Sequence, residues 1–143
     1  MQKHINNGNC QKCDEILNRY QGFDAGLRAW FKALQKLHSD AHISDAGRGK
    51  KDQEKYKNSG NSRANYGQSA HNYNAAIDIF RQTLQGLSYD TNWFKEVVGE
   101  AIDAHNNSSS FKLEWYGAPN AKFKELPHVQ LANWKNLNLK LVE

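Results

Sequence analysis

From Phe23 onward the apolar residues Phe23, Leu27, Trp30, Phe31, Leu34 and Leu37 recur every three or four positions, the spacing of one face of an α-helix. The pattern predicts an amphipathic helix of about four turns with that stripe turned to a core. A shorter helix is expected before it, around Asp14 to Tyr20. Another should begin at an N-cap formed by Asp90 or Thr91 and bury Trp93, Phe94, Val97, Val98, Ala101 and Ile102. Four short runs read as strands: "AHIS" at 41–44, "AAIDIF" at 75–80, "FKLEWY" at 111–116 and "HVQL" at 128–131. Patches rich in Gly, Asn and Ser at 58–69, 105–110 and 117–120 punctuate them and read as loops. In the tail, Leu137, Leu139 and Leu141 alternate, which predicts a last strand or a cover for the core. Helices followed by strands without regular βαβ alternation imply an α+β domain, a small mainly antiparallel sheet with flanking helices.

Length and composition fit this picture. A chain of 143 residues, 38% hydrophobic and 24% charged, suits a single domain spanning 1–143 with a core of its own. A monomer is expected. No apolar stretch approaches the roughly 20 residues of a membrane helix, so no membrane insertion is expected. The start, "MQKHINNGNCQKC", lacks the apolar core of a signal peptide, so synthesis in a cytoplasm without a leader is expected. A net charge of +4 favours an anionic partner: nucleic acid, a lipid surface or an acidic wall polymer. The lysines are spread, however, and "GRGKKDQEKYK" interleaves acids with its bases, which is not the basic stripe of a nucleic-acid binder.

Cys10 and Cys13 form a C-x-x-C pair. A structural zinc site needs four ligands, and although His4 is near in sequence no fourth is evident. A thioredoxin-like site would follow a strand, whereas "NNGN" is loop-like. The pair reads as two reduced thiols near a helix start.

Asp78 is the residue that breaks the pattern. In an extended strand Ala76, Asp78 and Phe80 share one side, while Ala75, Ile77 and Ile79 share the other, so a carboxylate points the same way as apolar neighbours. Such a group protonates, pairs or binds a metal. His71 precedes it by seven residues, and "NYN" at 72–74 supplies a bend, because Asn tolerates turn and left-handed backbone. The two side chains can then converge, as a zinc ion asking for about four ligands would require. His128 opens the final strand in "KELPHVQL" and offers a third ligand, and Glu125 stands three residues before it. Pro127 rules out an ordinary helical H-E-x-x-H arrangement. Taken singly, each residue has an ordinary explanation: a hydrogen-bonded histidine, an Asp78 paired with Arg81 or Arg63, a solvated Glu125.

Together these residues resemble the zinc D-Ala-D-Ala carboxypeptidase and L-alanyl-D-glutamate endopeptidase family, whose motif reads S-x-H, six residues, D, then later a carboxylate, two residues, H. Here that is Ser69, His71, Asp78, Glu125 and His128, and "ISDAGRGKKDQ" supplies the upstream Arg and Gln as Arg48 and Gln53. The resemblance spans about residues 41 to 131, and "GQSAHNYNAAIDI", "SYDTNWFKEV" and "LPHVQL" look like the phage endolysin branch. It implies a hedgehog and D-Ala-D-Ala-peptidase type of fold and hydrolysis of peptidoglycan stem peptides at the L-Ala-D-Glu bond. By the same resemblance His71, Asp78 and His128 would hold Zn²⁺, Glu125 would be the base and Arg48 would bind the developing oxyanion. Gln53 and Ser69 would support the site, with Ser69 positioning His71. Gly47 and Gly49 would let the backbone approach the substrate. Asn74 stands where the family usually has Gly, and Glu125 matches the carboxypeptidase branch, in which the lysin branch often has Asp. A D-Ala-D-Ala carboxypeptidase or dipeptidase, and a non-catalytic wall-binding module retaining the fold, are the alternatives. The partner in each case is bacterial peptidoglycan, reached by a leaderless protein through a separate pore.

Overall fold

The computed structural model describes residues 4–143. Two helices open the chain. In α1 (Gln11–Leu17), Cys10 is the N-cap and its Sγ accepts from the Cys13 N–H at 3.3 Å. In α2 (Ala25–Leu37), the Asp24 carboxylate accepts from the Leu27 N–H at 2.8 Å, satisfying one of the donors that a helix start leaves unpaired. Leu27, Phe31 and Leu34 are buried as their spacing predicts, and burial of a ring such as Phe31 is worth about 1.5–3 kcal/mol. Leu37 departs from the stripe. It lies in the last turn, beyond the edge of the sheet, and is 80% exposed.

Five strands form one antiparallel sheet, with β1 (Ala41–Asp45), β2 (Ala76–Thr83), β3 (Gly86–Ser88), β4 (Leu113–Trp115) and β5 (His128–Leu131). The order is β1-β2-β5-β4, with β3 also pairing β2. The chain is therefore α+β with a mainly antiparallel sheet. Strand β2 is central: Asp78 sits opposite His128 on one side and opposite Asp45 on the other. Register in β1 shifts between Ile43 and Asp45, so the strand bends just before the loop that carries Arg48.

Two elements lie outside the expected set. Helix α3 (Lys50–Asn58), "KKDQEKYKN", buries only Gln53, so it has no apolar stripe to reveal it. Strand β3 completes an exposed hairpin whose Leu84 and Leu87 face solvent. The third expected helix begins at Asp90, whose carboxylate accepts from the Trp93 N–H at 2.9 Å. It runs as α4 (Thr91–Trp93), a π-helical stretch (Phe94–Gly99) and α5 (Glu100–Ser108), absorbing most of the patch expected to be a loop at 105–110. The tail forms no strand. It makes a 3₁₀ turn at Trp134–Asn136, with Leu137 and Leu141 exposed and Val142 buried in their place.

A short 3₁₀ helix (Ala70–Tyr73) delivers His71 to the head of β2. Ser69 caps it, and Asn74 ends it in the left-handed region at φ 56°. The Asn74 amide donates to Gln21 O at 3.0 Å, tying this bend to the loop between α1 and α2. The bend expected of "NYN" is therefore made by Asn74 alone. A Cβ at Gly47 would stand 2.1 Å from Asn74 Oδ1, and one at Gly49 would stand 2.9 Å from the Tyr20 hydroxyl oxygen. On that side both glycines serve close packing within the chain.

The αL conformation costs a residue with a Cβ about 1–2 kcal/mol relative to Gly. Asn74→Gly should accordingly be more stable to denaturant than Asn74→Ala by about that amount. An alanine variant of equal or greater stability would refute the positive φ at this position.

Candidate metal centre

Three side chains from separate segments meet at Asp78. His71 comes from the 3₁₀ turn, Asp78 from β2 and His128 from the start of β5, and their ligating atoms lie within 4.8 Å of one another. His71 Nε2 and His128 Nδ1 each stand 3.3 Å from the same oxygen, Asp78 Oδ1. The opposite ring nitrogens are engaged elsewhere. His71 donates from Nδ1 to the Ala46 carbonyl at 2.6 Å, and His128 donates from Nε2 to Gln130 Oε1 at 2.7 Å. These bonds turn His71 Nε2 and His128 Nδ1 toward Asp78, where a metal ion would take the place of the protons shared with the carboxylate. Two imidazole nitrogens and a carboxylate facing one point are a donor set that fits a zinc ion.

The site attracts positive charge. Burial opposes protonation of His71, but the charge and hydrogen bond of Asp78 outweigh it and hold its pKa above the ordinary imidazole value. Burial likewise opposes ionisation of Asp78, yet the charge on His71 and the hydrogen bonds from His128 and His71 hold its carboxyl well below the usual carboxylate range. His71 and His128 are buried, whereas the Asp78 side chain keeps 23% exposure, so the cluster opens to solvent on the carboxylate side.

Arg48 and Gln53 join the same construction. The guanidinium donates from Nε and Nη2 to Asp45 Oδ2 at 2.9 and 2.7 Å, and from Nη1 to Gln53 Oε1 at 3.0 Å. Its Nη2 lies 3.8 Å from Asp78 Oδ2, and its plane stacks on Tyr56 with 4.2 Å from Cζ to the ring centroid. Arg48, rather than Arg81 or Arg63, is thus the cation beside Asp78; Arg81 pairs with Asp40 at 2.8 Å. Of five guanidinium N–H groups three are spent on Asp45 and Gln53, leaving two for other acceptors. Asn72 closes the ring of bonds by donating to Arg48 O and to Gln53 Oε1. Ser69 Oγ accepts from the His71 N–H at 3.2 Å, a positioning contact.

Glu125 stands apart from the three ligands. It is exposed in the turn before β5, where its carbonyl accepts from the His128 N–H at 3.1 Å and its own N–H donates to Tyr116 O at 3.2 Å. The Tyr116 ring in turn lies against His128, with centroids 4.5 Å apart.

The sequence reading did not include Asp45, Gln130 and Glu114. Gln130 could have been found by alternation, since it shares a face with His128 two residues earlier in β5. Its amide donates to Glu114 Oε1 at 2.7 Å, so a carboxylate on β4 steers the glutamine that steers the histidine. Glu114 is opposite Gln130 only through the β4–β5 register, which single-sequence reasoning does not supply.

No protein-family model matches the chain, and no curated protein matches it. Among solved structures, the crystal structure of Serratia marcescens L-Ala D-Glu endopeptidase ChiX is similar, with a TM-score of 0.66 at 19% sequence identity, covering 83% of this chain and 85% of that one. The likeness is one of fold.

Outer partners of metal-binding histidines are typically worth about 10- to 100-fold in affinity. Gln130→Leu should weaken zinc binding at the His71, Asp78 and His128 site by about that factor, measured by chelator competition. Unchanged affinity would show that His128 is oriented without Gln130.

Proposed function

We propose that this chain is a zinc-dependent peptidoglycan peptidase, a single catalytic domain of the phage endolysin type that cleaves the L-Ala-D-Glu bond of stem peptides. One observation carries the reading: two imidazole nitrogens, each with its other nitrogen already committed, converge on Asp78 beside a pinned arginine. The fold's likeness to an L-Ala D-Glu endopeptidase supports the choice of substrate.

His71, Asp78 and His128 would hold zinc, which when bound would supply a Lewis acid able to lower the pKa of water towards about 7. A donor set of three protein side chains is the pattern of a catalytic rather than a structural zinc site. Glu125, exposed on the segment that leads into His128, would serve as the general base and would return the proton to the leaving amine. The remaining N–H groups of Arg48 donate to the scissile carbonyl oxygen as negative charge gathers there. Asp45, Gln53 and Tyr56 hold the guanidinium still, so little reorganisation is needed during the reaction. Ser69 and the Ala46 carbonyl keep His71 in place. The chain's net positive charge of +4 favours adhesion to an anionic wall. Among the described residues no helix is long and apolar enough to cross a membrane. A monomer reaching the wall through a separate pore is the form we propose.

A D-Ala-D-Ala carboxypeptidase is the second reading, favoured by Glu rather than Asp at position 125. Digestion of purified peptidoglycan separates the two. New amino-terminal D-glutamate, lost with chelator and restored by zinc, is expected; free D-alanine would select the second reading instead. Glu125→Ala should lower the rate by about 10²- to 10⁴-fold while zinc at the three ligands is retained. Release of neither product by the zinc-loaded protein would make this a wall-binding module.

A further inference from the structure

A second cluster lies toward the other end of β1, built from residues that the proposed hydrolysis does not use. His4, Cys10, Cys13 and His42 bring four ligating atoms within 4.8 Å of one another. Cys10 and Cys13 are free, fully buried thiols at the start of α1, and His42 is fully buried on β1. The C-x-x-C pair that lacked a fourth partner in the sequence thus acquires one from a strand that follows a whole intervening helix.

Three of the six separations between ligand atoms match those around a tetrahedral ion. Cys10 Sγ and Cys13 Sγ lie 3.4 and 3.5 Å from His4 Nδ1, and Cys13 Sγ lies 3.5 Å from His42 Nδ1. Tetrahedral zinc, with Zn–S near 2.3 Å and Zn–N near 2.0 Å, places neighbouring ligand atoms roughly 3.3–3.8 Å apart. The surroundings suit ligands as well. His42 Nε2 faces Asn6 Oδ1 at 2.5 Å, which sets the tautomer and turns the Nδ1 lone pair inward. The Cys13 N–H points at Cys10 Sγ at 3.3 Å, and Gln35 Nε2 points at Cys13 Sγ at 3.5 Å, so N–H donors are aimed at both sulfurs.

We infer that His4, Cys10, Cys13 and His42 form a second metal site, a closed Cys₂His₂ centre that takes zinc and has a structural role. Two soft thiolates with two imidazoles select zinc over calcium or magnesium, and four protein ligands leave no position for substrate water. Binding displaces the thiol protons, one from each cysteine, and neither sulfur changes oxidation state. The bound ion would staple the segment 4–10 and helix α1 to β1. That segment is already held to β2 by Gln82, whose amide donates to His4 O at 2.8 Å and whose carbonyl accepts from the Asn6 amide at 3.1 Å.

Cobalt is the probe. Reduced full-length protein saturated with Co²⁺ under anaerobic conditions should bind two ions per chain and show near-ultraviolet thiolate-to-cobalt charge-transfer absorption. His71→Ala with His128→Ala should lose one ion and keep that absorption, whereas Cys10→Ser with Cys13→Ser should abolish it. If the serine variant does not fold, X-ray absorption of the zinc-loaded wild-type protein decides, with sulfur scatterers expected at about 2.3 Å. Absence of both signatures in reduced, metal-saturated wild type would overturn the site, as would charge-transfer absorption that survives loss of both cysteines. The inference is independent of the hydrolytic reading: a protein that cuts no peptidoglycan would still give the thiolate band.

Discussion

One half-buried carboxylate organises this molecule. Asp78 sits on the central strand with an imidazole on each side and a guanidinium behind it, 3.3, 3.3 and 3.8 Å away. Isolated, its charge would be too expensive to bury; surrounded, it draws four segments together, because each partner must be delivered from a different part of the chain. The 3₁₀ turn brings His71, the start of β5 brings His128, and the loop after β1 brings Arg48. The antiparallel register then does the alignment, placing both Asp45 and His128 directly opposite Asp78. The Asp45 carboxylate balances Arg48, so the charges alternate through the site instead of accumulating.

The histidines show how tightly this is specified. Each imidazole has its outward nitrogen held by a carbonyl, the Ala46 backbone on one side and the Gln130 side chain on the other. A backbone carbonyl cannot be mutated away and a side-chain amide can, which makes the His128 side the more adjustable of the two. Glu114 extends that side by one more link to β4. The result is a site whose donors are oriented by the sheet itself, a more rigid support than loops provide.

Much of this was legible from residue order alone. Helical spacing located α2, and the cap at Asp90 is one of the two positions where the sequence placed a helix start. The odd carboxylate in β2, the histidine before it and the histidine opening β5 point to one another by residue type and spacing alone. What stayed hidden had no periodic signal. Helix α3 has no apolar stripe because its one buried residue is a polar glutamine. The tail kept the second of its two expected roles: no sheet edge receives its alternating leucines as a strand, but Leu139 packs against the core and Val142 is buried, while Leu137 and Leu141 are exposed. Glu114 and His42 were invisible because their importance lies in register and packing, which pair residues far apart in the chain.

The two clusters use overlapping chemistry to opposite ends. Around Asp78 there are three donors, and the carboxylate keeps part of its surface open to solvent. Around Cys13 there are four donors, three of them from fully buried residues. Oxygen and nitrogen donors with an open side leave a cation acidic and accessible; sulfur donors with no open side neutralise it and lock it away. Strand β1 runs between these environments, with His42 serving the closed cluster and Asp45, past the register shift, serving the open one. A rigid β1 is therefore useful to both: whatever fixes His42 at one end of the strand also limits the movement of Asp45, and through it Arg48, at the other.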